Sequence, residues 1–273
     1  MALMTPWKRA VWLACLGVAC ALGGPARAQY LYGITAGSAE LRVLNPADAS
    51  TITVLGEITH PDGVDRGRAI AFDPTTGVFY TTFPTGEATD WVFGTVGLDA
   101  SFTQIAEMAD AIRDMTFDAS GKLWAVIGVR GPNVNNLVSV DKATGAVTLE
   151  NGGLPTSGRN KIAYVAATDT LYVLGDTAGP WELYAFSPAS PTNMTQVPLS
   201  GVVLNQPSQP PMVYDPEAEV FRTMSGATEW VAITLGGVVT MEAGFPGYDL
   251  GGLTFDGPFF ADGFESGDLS GWN

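Results

Sequence analysis

Residues 69–80 read AIAFDPTTGVFY, two short apolar segments around a polar turn, and this pattern decides the fold. The pattern predicts two strands joined by a turn. It recurs along the chain, and each copy contains an aromatic anchor that is usually followed by aspartate. The anchors stand 41 to 50 residues apart, at Phe72, Phe117, Tyr164, Tyr214 and Phe255. That spacing is typical of the four-stranded blades of a β-propeller.

The units also contain a second hairpin, clearest at residues 137–149, where a glycine closes the turn between LVSVD and AVTL. Residues 30–55 match the second, third and fourth strands of a unit that lacks its first strand. Residues 253–256 match a first strand on its own. We therefore predict an all-β protein, a β-propeller of five four-stranded blades. Pairing of the N- and C-terminal strands closes the ring and removes open sheet edges.

The N-terminal segment has the pattern of a secretory signal. Basic residues 8–9 precede an apolar run at residues 10–23, and residues 26–28 read ARA, the form of a cleavage site. We predict removal of residues 1–28 and a secreted, periplasmic or cell-surface location. The alternative is a lipoprotein acylated at Cys15 or Cys20. Both cysteines lie in this segment, so the mature chain has no disulfides.

Charge and length limit the partners of the mature chain. The full chain has a net charge of −15, and removal of residues 1–28 makes it about −18, because they contain three basic residues and no acid. Such a chain repels phosphate backbones, so we expect no nucleic-acid partner. We expect no transmembrane segment and a monomer. The remaining chain divides into a β-propeller at residues 29–258 and a tail at residues 259–273.

The sequence pattern of the N-terminal hairpins resembles known propeller repeats. Residues 31–35 read LYGIT, residues 41–46 read LRVLNP, and residues 51–55 form a threonine-rich strand. This combination resembles the repeats of secreted bacterial β-propellers of the YVTN and NHL-like kind, over most of residues 30–256. The resemblance implies a fold and no activity, because propellers carry many unrelated functions.

The tail shows a second resemblance. Residues 262–272 read DGFESGDLSGW, which resembles a short ending found on many exported bacterial proteins. The resemblance implies an appended sorting or processing tag. The alternatives are the opening strand of a jelly-roll domain and a disordered acidic end, which its glycine, serine and aspartate content also suits.

Charged residues, and one asparagine, recur just before the anchors, where connections enter the first strands. First strands line the central channel, so these residues predict a mouth of acids and arginines that binds a polar ligand through guanidinium forks. The alternative is that they form structural ion pairs between blades. The residues are Asp65, Arg68, Asp110, Arg113, Arg159, Asn160 and Asp249.

Three tryptophans stand at the start of third strands, at Trp91, Trp181 and Trp230. Rigid aromatic faces near the rim of a pocket stack on sugars, which makes these residues candidates for ligand binding. The alternative is that they fill the wedges between blades, where a large side chain contributes about 1.5–3 kcal/mol of burial.

Several chemistries have no support in the sequence. His60 is the only histidine, which excludes a multi-histidine metal site, and no nucleophile motif accompanies it. The aspartates after the anchors, Asp73, Asp118 and Asp215, match turn caps and lack the spacing of a calcium loop. We therefore predict no cofactor and no metal, with calcium at residues 62–65 as the alternative.

These observations favour one function and leave two alternatives. The favoured function is an exported, non-enzymatic β-propeller that binds a glycan, a peptide or a protein on its loop face. One alternative is an enzyme that acts on polysaccharide through the channel carboxylates Asp65, Asp110 and Asp249. The other is a surface or scaffold protein in which the tail matters more than the channel.

Overall fold

The computed structural model describes residues 29–86, 90–156, 160–176, 180–204, 211–226, 229–244 and 249–256. In these ranges the chain is all-β, apart from a single 3-10 turn at Ala166–Thr168. No helix among the described residues is long and apolar enough to span a membrane. The signal at residues 1–28 and the tail at residues 259–273 lie outside the described residues, so both stay predictions.

The described strands form five blades. Blade 1 contains β1 (Leu31–Thr35), β2 (Glu40–Leu44) and β3 (Thr51–Glu57), and blade 2 contains β4 (Ile70–Asp73), β5 (Val78–Thr85), β6 (Asp90–Val96) and β7 (Phe102–Met108). Blade 3 contains β8 (Ile112–Phe117), β9 (Leu123–Ile127), β10 (Leu137–Val140) and β11 (Val147–Asn151). Blade 4 contains β12 (Lys161–Val165), β13 (Thr170–Asp176), β14 (Trp181–Phe186) and β15 (Thr195–Val197). Blade 5 contains the short β16 (Ser200–Gly201), then β17 (Val213–Asp215), β18 (Val220–Ser225), β19 (Glu229–Thr234) and β20 (Val238–Gly244), and β21 (Leu250–Phe255) follows.

The last strand closes the ring, as predicted. β21 pairs with β1 in antiparallel orientation, with Leu31 opposite Phe255, and so supplies the innermost strand of blade 1. Tyr30 N donates to Asp256 Oδ1 at 2.7 Å, just beyond that register. The prediction of five four-stranded antiparallel blades is confirmed, with β16 as an extra parallel strand on the outer edge of blade 5.

The innermost strands surround the axis in the order β21, β4, β8, β12 and β17. Apolar side chains fill the wedges between neighbouring blades, because each blade buries both faces against its neighbours. Aromatic pairs with centroids about 5 Å apart stabilise these wedges. The pairs are Tyr32 with Phe79 at 4.8 Å, Tyr80 with Phe117 at 5.4 Å, and Tyr172 with Phe221 at 4.8 Å.

Aspartates that follow the anchors cap the turns between first and second strands. Each accepts a hydrogen bond from the amide two residues further on, at 2.8 Å for Asp73, 2.9 Å for Asp118 and 3.1 Å for Asp215. The prediction of turn caps is therefore confirmed. Blade 4 has Val165 at this position, and its turn is the 3-10 element, followed by Asp169 in left-handed conformation with φ 48°.

Candidate functional site

One face of the propeller carries the connections that enter the innermost strands and the loops between second and third strands, and we name it the loop face. Connections and loops lie side by side there: Asp65 N donates to Pro84 O at 3.0 Å, and Ala36 N donates to Asp249 O at 2.8 Å. The end of the central axis at this face is the channel mouth. The first residues of the innermost strands and the residues just before them surround it.

Arg68 and Arg113 occupy equivalent positions at the channel mouth, four residues before the anchors Phe72 and Phe117. Arg68 lies just before β4, and Arg113 lies in β8. These two strands are neighbours around the axis, so the two arginines adjoin each other. Arg68 is buried, with an exposed fraction of 7%, and Arg113 is half-buried. Arg159, the third predicted arginine, lies outside the described residues.

The guanidinium of Arg68 forms no hydrogen bond or ion pair with any residue that the structure describes, and its Nε is fully enclosed. Burial, together with the nearby charges of Arg113 and Arg66, lowers the pKa of Arg68 to about 10, and Asp65 and Asp249 oppose this effect. Arg68 therefore stays protonated at neutral pH. A buried cation without a partner is costly, which makes this residue the most unusual group at the channel mouth.

Two local features place the Arg113 side chain. The pairing register of β8 with β9 shifts between Ile112 and Asp114, so Arg113 is the extra residue of a β-bulge. Bulges re-aim side chains and are common beside functional sites. A Cβ added to Gly128 would lie 2.3 Å from Arg113 Nε, so the arginine side chain lies directly over this glycine.

Two buried residues of opposite charge, Asp114 and Lys161, lie one layer below the arginines. Asp114 accepts hydrogen bonds from three amides: Met115 at 3.1 Å, Ile162 at 3.1 Å and Met212 at 3.2 Å. Lys161, also buried, takes the equivalent position in blade 4. Burial raises the pKa of Asp114, and Lys161 and the amides offset only part of that effect. One carboxyl group thus links blades 3, 4 and 5 beneath the mouth.

The innermost strands of blades 1 and 2 approach each other closely beside Arg68. A Cβ on Gly251 would lie 2.2 Å from the carbonyl oxygen of Gly67, and one on Gly252 would lie 2.3 Å from that of Arg68. Only glycine allows β21 and the start of β4 to approach so closely. The backbone of Arg68 is therefore packed directly against β21.

The predicted acids have different surroundings. Asp65 Oδ2 accepts a hydrogen bond from Arg66 Nε at 2.5 Å. Asp110 is buried and accepts two hydrogen bonds from Asn133, at 2.9 Å from its amide and 2.8 Å from its side chain. Asp249 is exposed and lies close enough to Arg68 to affect its pKa. Asp65 and Asp110 thus bind partners near them in sequence or in the same blade, and not an arginine of the next blade.

Hydrogen bonds connect the loop at residues 128–136 to its neighbours on this face. Besides the contact with Asp110, Asn135 Oδ1 accepts from Asn160 Nδ2 at 2.7 Å, which ties the loop to the connection that enters blade 4. Val129 and Val134 stay exposed on it, at 58% and 44%. The loop is therefore preorganised and presents apolar groups beside the channel mouth.

The three tryptophans lie in the wedges between blades. Trp91 packs in the cluster between blades 2 and 3, and Trp181 in the one between blades 4 and 5. Trp230 is fully buried between blades 5 and 1, where its Nε1 donates to Pro46 O at 3.0 Å. The packing alternative is thus confirmed for all three, and stacking on sugars stays a prediction.

Metal binding also stays open to experiment. Among the described residues, no group of three or more His, Cys, Asp or Glu side chains could hold a metal ion. In the proposed calcium segment, Asp65 binds Arg66, and an Asp62 carboxylate oxygen lies 3.7 Å from His60 Nδ1. Calcium at residues 62–65 therefore has no support from the geometry of this segment.

Sequence analysis missed the buried residues Asp114 and Lys161. A signal for them exists, since both residues stand three positions before an anchor in strands that are otherwise mostly apolar. Opposite charges at equivalent positions of adjacent repeats predict an electrostatic interaction between blades. The charge of Lys161 does act on the Asp114 carboxyl group, one residue further along each strand than the predicted mouth residues.

Comparisons with known proteins extend the fold assignment. Neither a known family model nor a curated protein sequence matches the chain. A structure of a nidogen/laminin complex is similar, with a TM-score of 0.55 and 12% identity over 84% of this chain and 98% of that one. TolB from Acinetobacter baumannii follows at 0.52 and 10%, over 84% and 66% of the two chains. A GH43 β-1,3-galactosidase gives 0.51 and 15%, over 80% and 57%. Identities this low show that the chain shares the β-propeller fold of binding proteins and of enzymes, and show nothing of its activity.

Proposed function

We propose that this chain is an exported, non-enzymatic β-propeller that binds a polar ligand (a glycan, a peptide or a protein) on its loop face. The observation that carries the proposal is the guanidinium of Arg68, which is buried at the channel mouth without a protein partner. A group of this kind destabilises the free protein, and such costs are concentrated at functional sites. A bound ligand with hydrogen-bond acceptors would supply the missing partner.

The rigid loop at residues 128–136 also supports binding. Its contacts with Asp110 and Asn160 are made within the protein itself, so a ligand would not have to order the loop. Preorganisation of this kind increases affinity because less conformational entropy is lost on binding. The exposed Val129 and Val134 add apolar contact area next to the polar mouth.

Catalysis on polysaccharide is the weaker alternative. It needs two accessible carboxyl groups on opposite sides of the scissile bond. Asp110 is buried against Asn133, and Asp65 binds Arg66, so neither is an accessible carboxyl group without a partner. Asp249 is the one exposed acid of the three. The geometry therefore favours a site that holds a ligand over one that cleaves it.

Export and ligand binding are tested separately. Mass spectrometry of the protein from its host measures the N-terminus, and we expect it to begin at Gln29. A thermal-shift screen of the purified protein with neutral and acidic sugars, short peptides, calcium and a chelator tests binding, since only ligands that prefer the folded state raise the Tm. We expect a rise with at least one sugar or peptide class. Release of reducing sugar from a polysaccharide would instead support the enzyme.

A further inference from the structure

We infer that the channel mouth binds a carboxylate group, and that Arg68 and Arg113 are the residues that hold it. This inference rests on the proposed function and adds the chemical class of the ligand. It starts from a contrast between two arginines in the same chain. Arg222 is as deeply buried as Arg68, with an exposed fraction of 6% against 7%, yet it forms ion pairs with Asp215 and Glu242.

The contrast shows what Arg68 lacks. Where this fold buries a guanidinium for stability, as at Arg222, it supplies a buried carboxylate, with Arg222 Nε 3.1 Å from Asp215 Oδ2. At Arg68 no described carboxylate is within ion-pair distance, although the side chain is equally enclosed. The missing group is therefore an acceptor that comes from outside the described chain.

The position of Arg113 identifies the charge of that acceptor. It adjoins Arg68 on the next innermost strand, and the two like charges repel each other, which contributes to the lowered pKa of Arg68. An anion between them removes the repulsion and accepts hydrogen bonds from both guanidinium groups.

A carboxylate fits this place better than a dianion such as phosphate. Asp65 and Asp249 lie close enough to Arg68 to affect its pKa, Asp114 lies below, and the whole chain has a net charge of −15. These negative charges repel a dianion about twice as strongly as a monoanion, because the interaction scales with charge. A planar carboxylate also matches the fork of a guanidinium in a bidentate pair.

The test is a set of Tm measurements at low ionic strength, where charge interactions are least screened. The probes are glucuronate, glucose, N-acetylglutamate and inorganic phosphate, added to the wild-type protein and to Arg68→Met. We expect a carboxylate to raise the wild-type Tm by about 2 °C or more. Glucose is expected to have no effect, and phosphate a smaller one. The larger shift of the two carboxylates identifies whether a sugar acid or an amino-acid carboxylate is the better source, and either supports the inference.

Two variants serve as controls for Arg68→Met, which is expected to lose the carboxylate shift. Arg222→Met also removes a buried guanidinium but lies away from the channel mouth, so it should keep the shift. If Arg222→Met does not fold, Arg42→Met on β2, which removes the partner of Glu40, takes its place.

Three results would overturn the inference. Equal shifts with glucose and glucuronate would refute a carboxylate site and leave the proposed binding function intact. A full carboxylate shift in Arg68→Met would place the binding site elsewhere. Finally, no shift with these probes or with any member of the wider sugar and peptide screen would contradict both the inference and the proposed function.

Discussion

Arg113 adjoins Arg68 at the mouth of the central channel, on the neighbouring innermost strand, and its charge lowers the pKa of Arg68. Arg68 does not follow the pattern of Arg222, which the same fold neutralises with Asp215 and Glu242. Two adjacent cations, one of them buried without a partner, are a cost in the free protein.

The first prediction concerns the stability of the ligand-free protein. Arg68→Met removes a buried charge without a partner and keeps much of the side-chain volume. We expect the free energy of unfolding to rise by about 1–2 kcal/mol, or the Tm by about 2–8 °C. Arg222→Met should instead lower it by about 3–5 kcal/mol, because it leaves buried Asp215 uncompensated. Calorimetry of both variants decides this, and a loss of stability in Arg68→Met would mean that its side chain is structural.

The second prediction concerns Gly128. An alanine Cβ at this position would lie 2.3 Å from Arg113 Nε, so Gly128→Ala must displace the guanidinium. We expect affinity for the ligand to fall about tenfold, which corresponds to about 1.4 kcal/mol, with little change in the Tm. Gly37→Ala is the matched control on the same face, because an added Cβ there has no atom within 4 Å. Equal affinities of the two variants, measured by titration calorimetry, would contradict a role for Arg113.

The third prediction concerns pH. Burial raises the pKa of Asp256 to about 6, and the hydrogen bond from Tyr30 N only partly offsets this. The folded state therefore holds the proton more tightly than the unfolded state, and the stability from this group is present at low pH and lost as the pH rises from about 4 to about 6. For Asp256 the change is about 2–3 kcal/mol.

Asp256→Asn keeps an acceptor for Tyr30 N and cannot ionise, so its Tm should fall less than the wild-type Tm over that range. Asp73→Asn is the control, because the contribution of Asp73 to stability has the opposite pH dependence. Burial alone would raise the pKa of Asp73, but Lys142 and two threonines lower it overall, so its contribution is lost as the pH falls below about 4. Parallel Tm profiles of wild type and Asp256→Asn between pH 4 and 7 would refute the prediction.

The fourth prediction concerns the loop at residues 128–136. Asp110→Ala removes the acceptor for the amide and side chain of Asn133, so we expect faster hydrogen exchange across this loop and weaker ligand binding. Asp99→Ala, which removes the cap of the exposed turn that contains Ser101, should leave exchange in the loop unchanged. Unchanged exchange in Asp110→Ala would show that the loop is held by its other contacts.

The fold could be predicted because its determinants are local and repeated. Each anchor such as Phe72 or Phe117 lies in a short hairpin whose pattern is visible in about 12 residues, and five copies indicate five blades. Ring closure could be predicted because each end of the chain lacks the strands that the other end supplies. The parallel pairing of β16 could not be predicted, because Ser200 and Gly201 have no apolar pattern and pair with β20 only through the backbone.

The candidate site could be predicted only in part. The positions of Arg68 and Arg113 followed from counting back from the anchors, since equivalent positions in a repeat lie at equivalent heights around the axis. The hydrogen-bond partners of the site residues could not be predicted from the sequence. Whether Asp110 binds an arginine or Asn133 depends on the path of a nine-residue loop that has no counterpart in the other blades, and the hydrogen bond from Met212 to Asp114 joins residues that are 98 positions apart.

The most direct measurement is of Arg68 itself. In a ¹H–¹⁵N correlation spectrum of the arginine Nε–H groups, the Arg68 signal is assigned by its absence in Arg68→Met. We predict that glucuronate shifts this signal in proportion to occupancy, since a carboxylate bound to the terminal nitrogens of the guanidinium perturbs the adjacent Nε–H, and that glucose leaves it in place. An Arg68 signal that does not move while glucuronate raises the Tm would contradict the central claim, because the ligand would then bind away from the buried guanidinium.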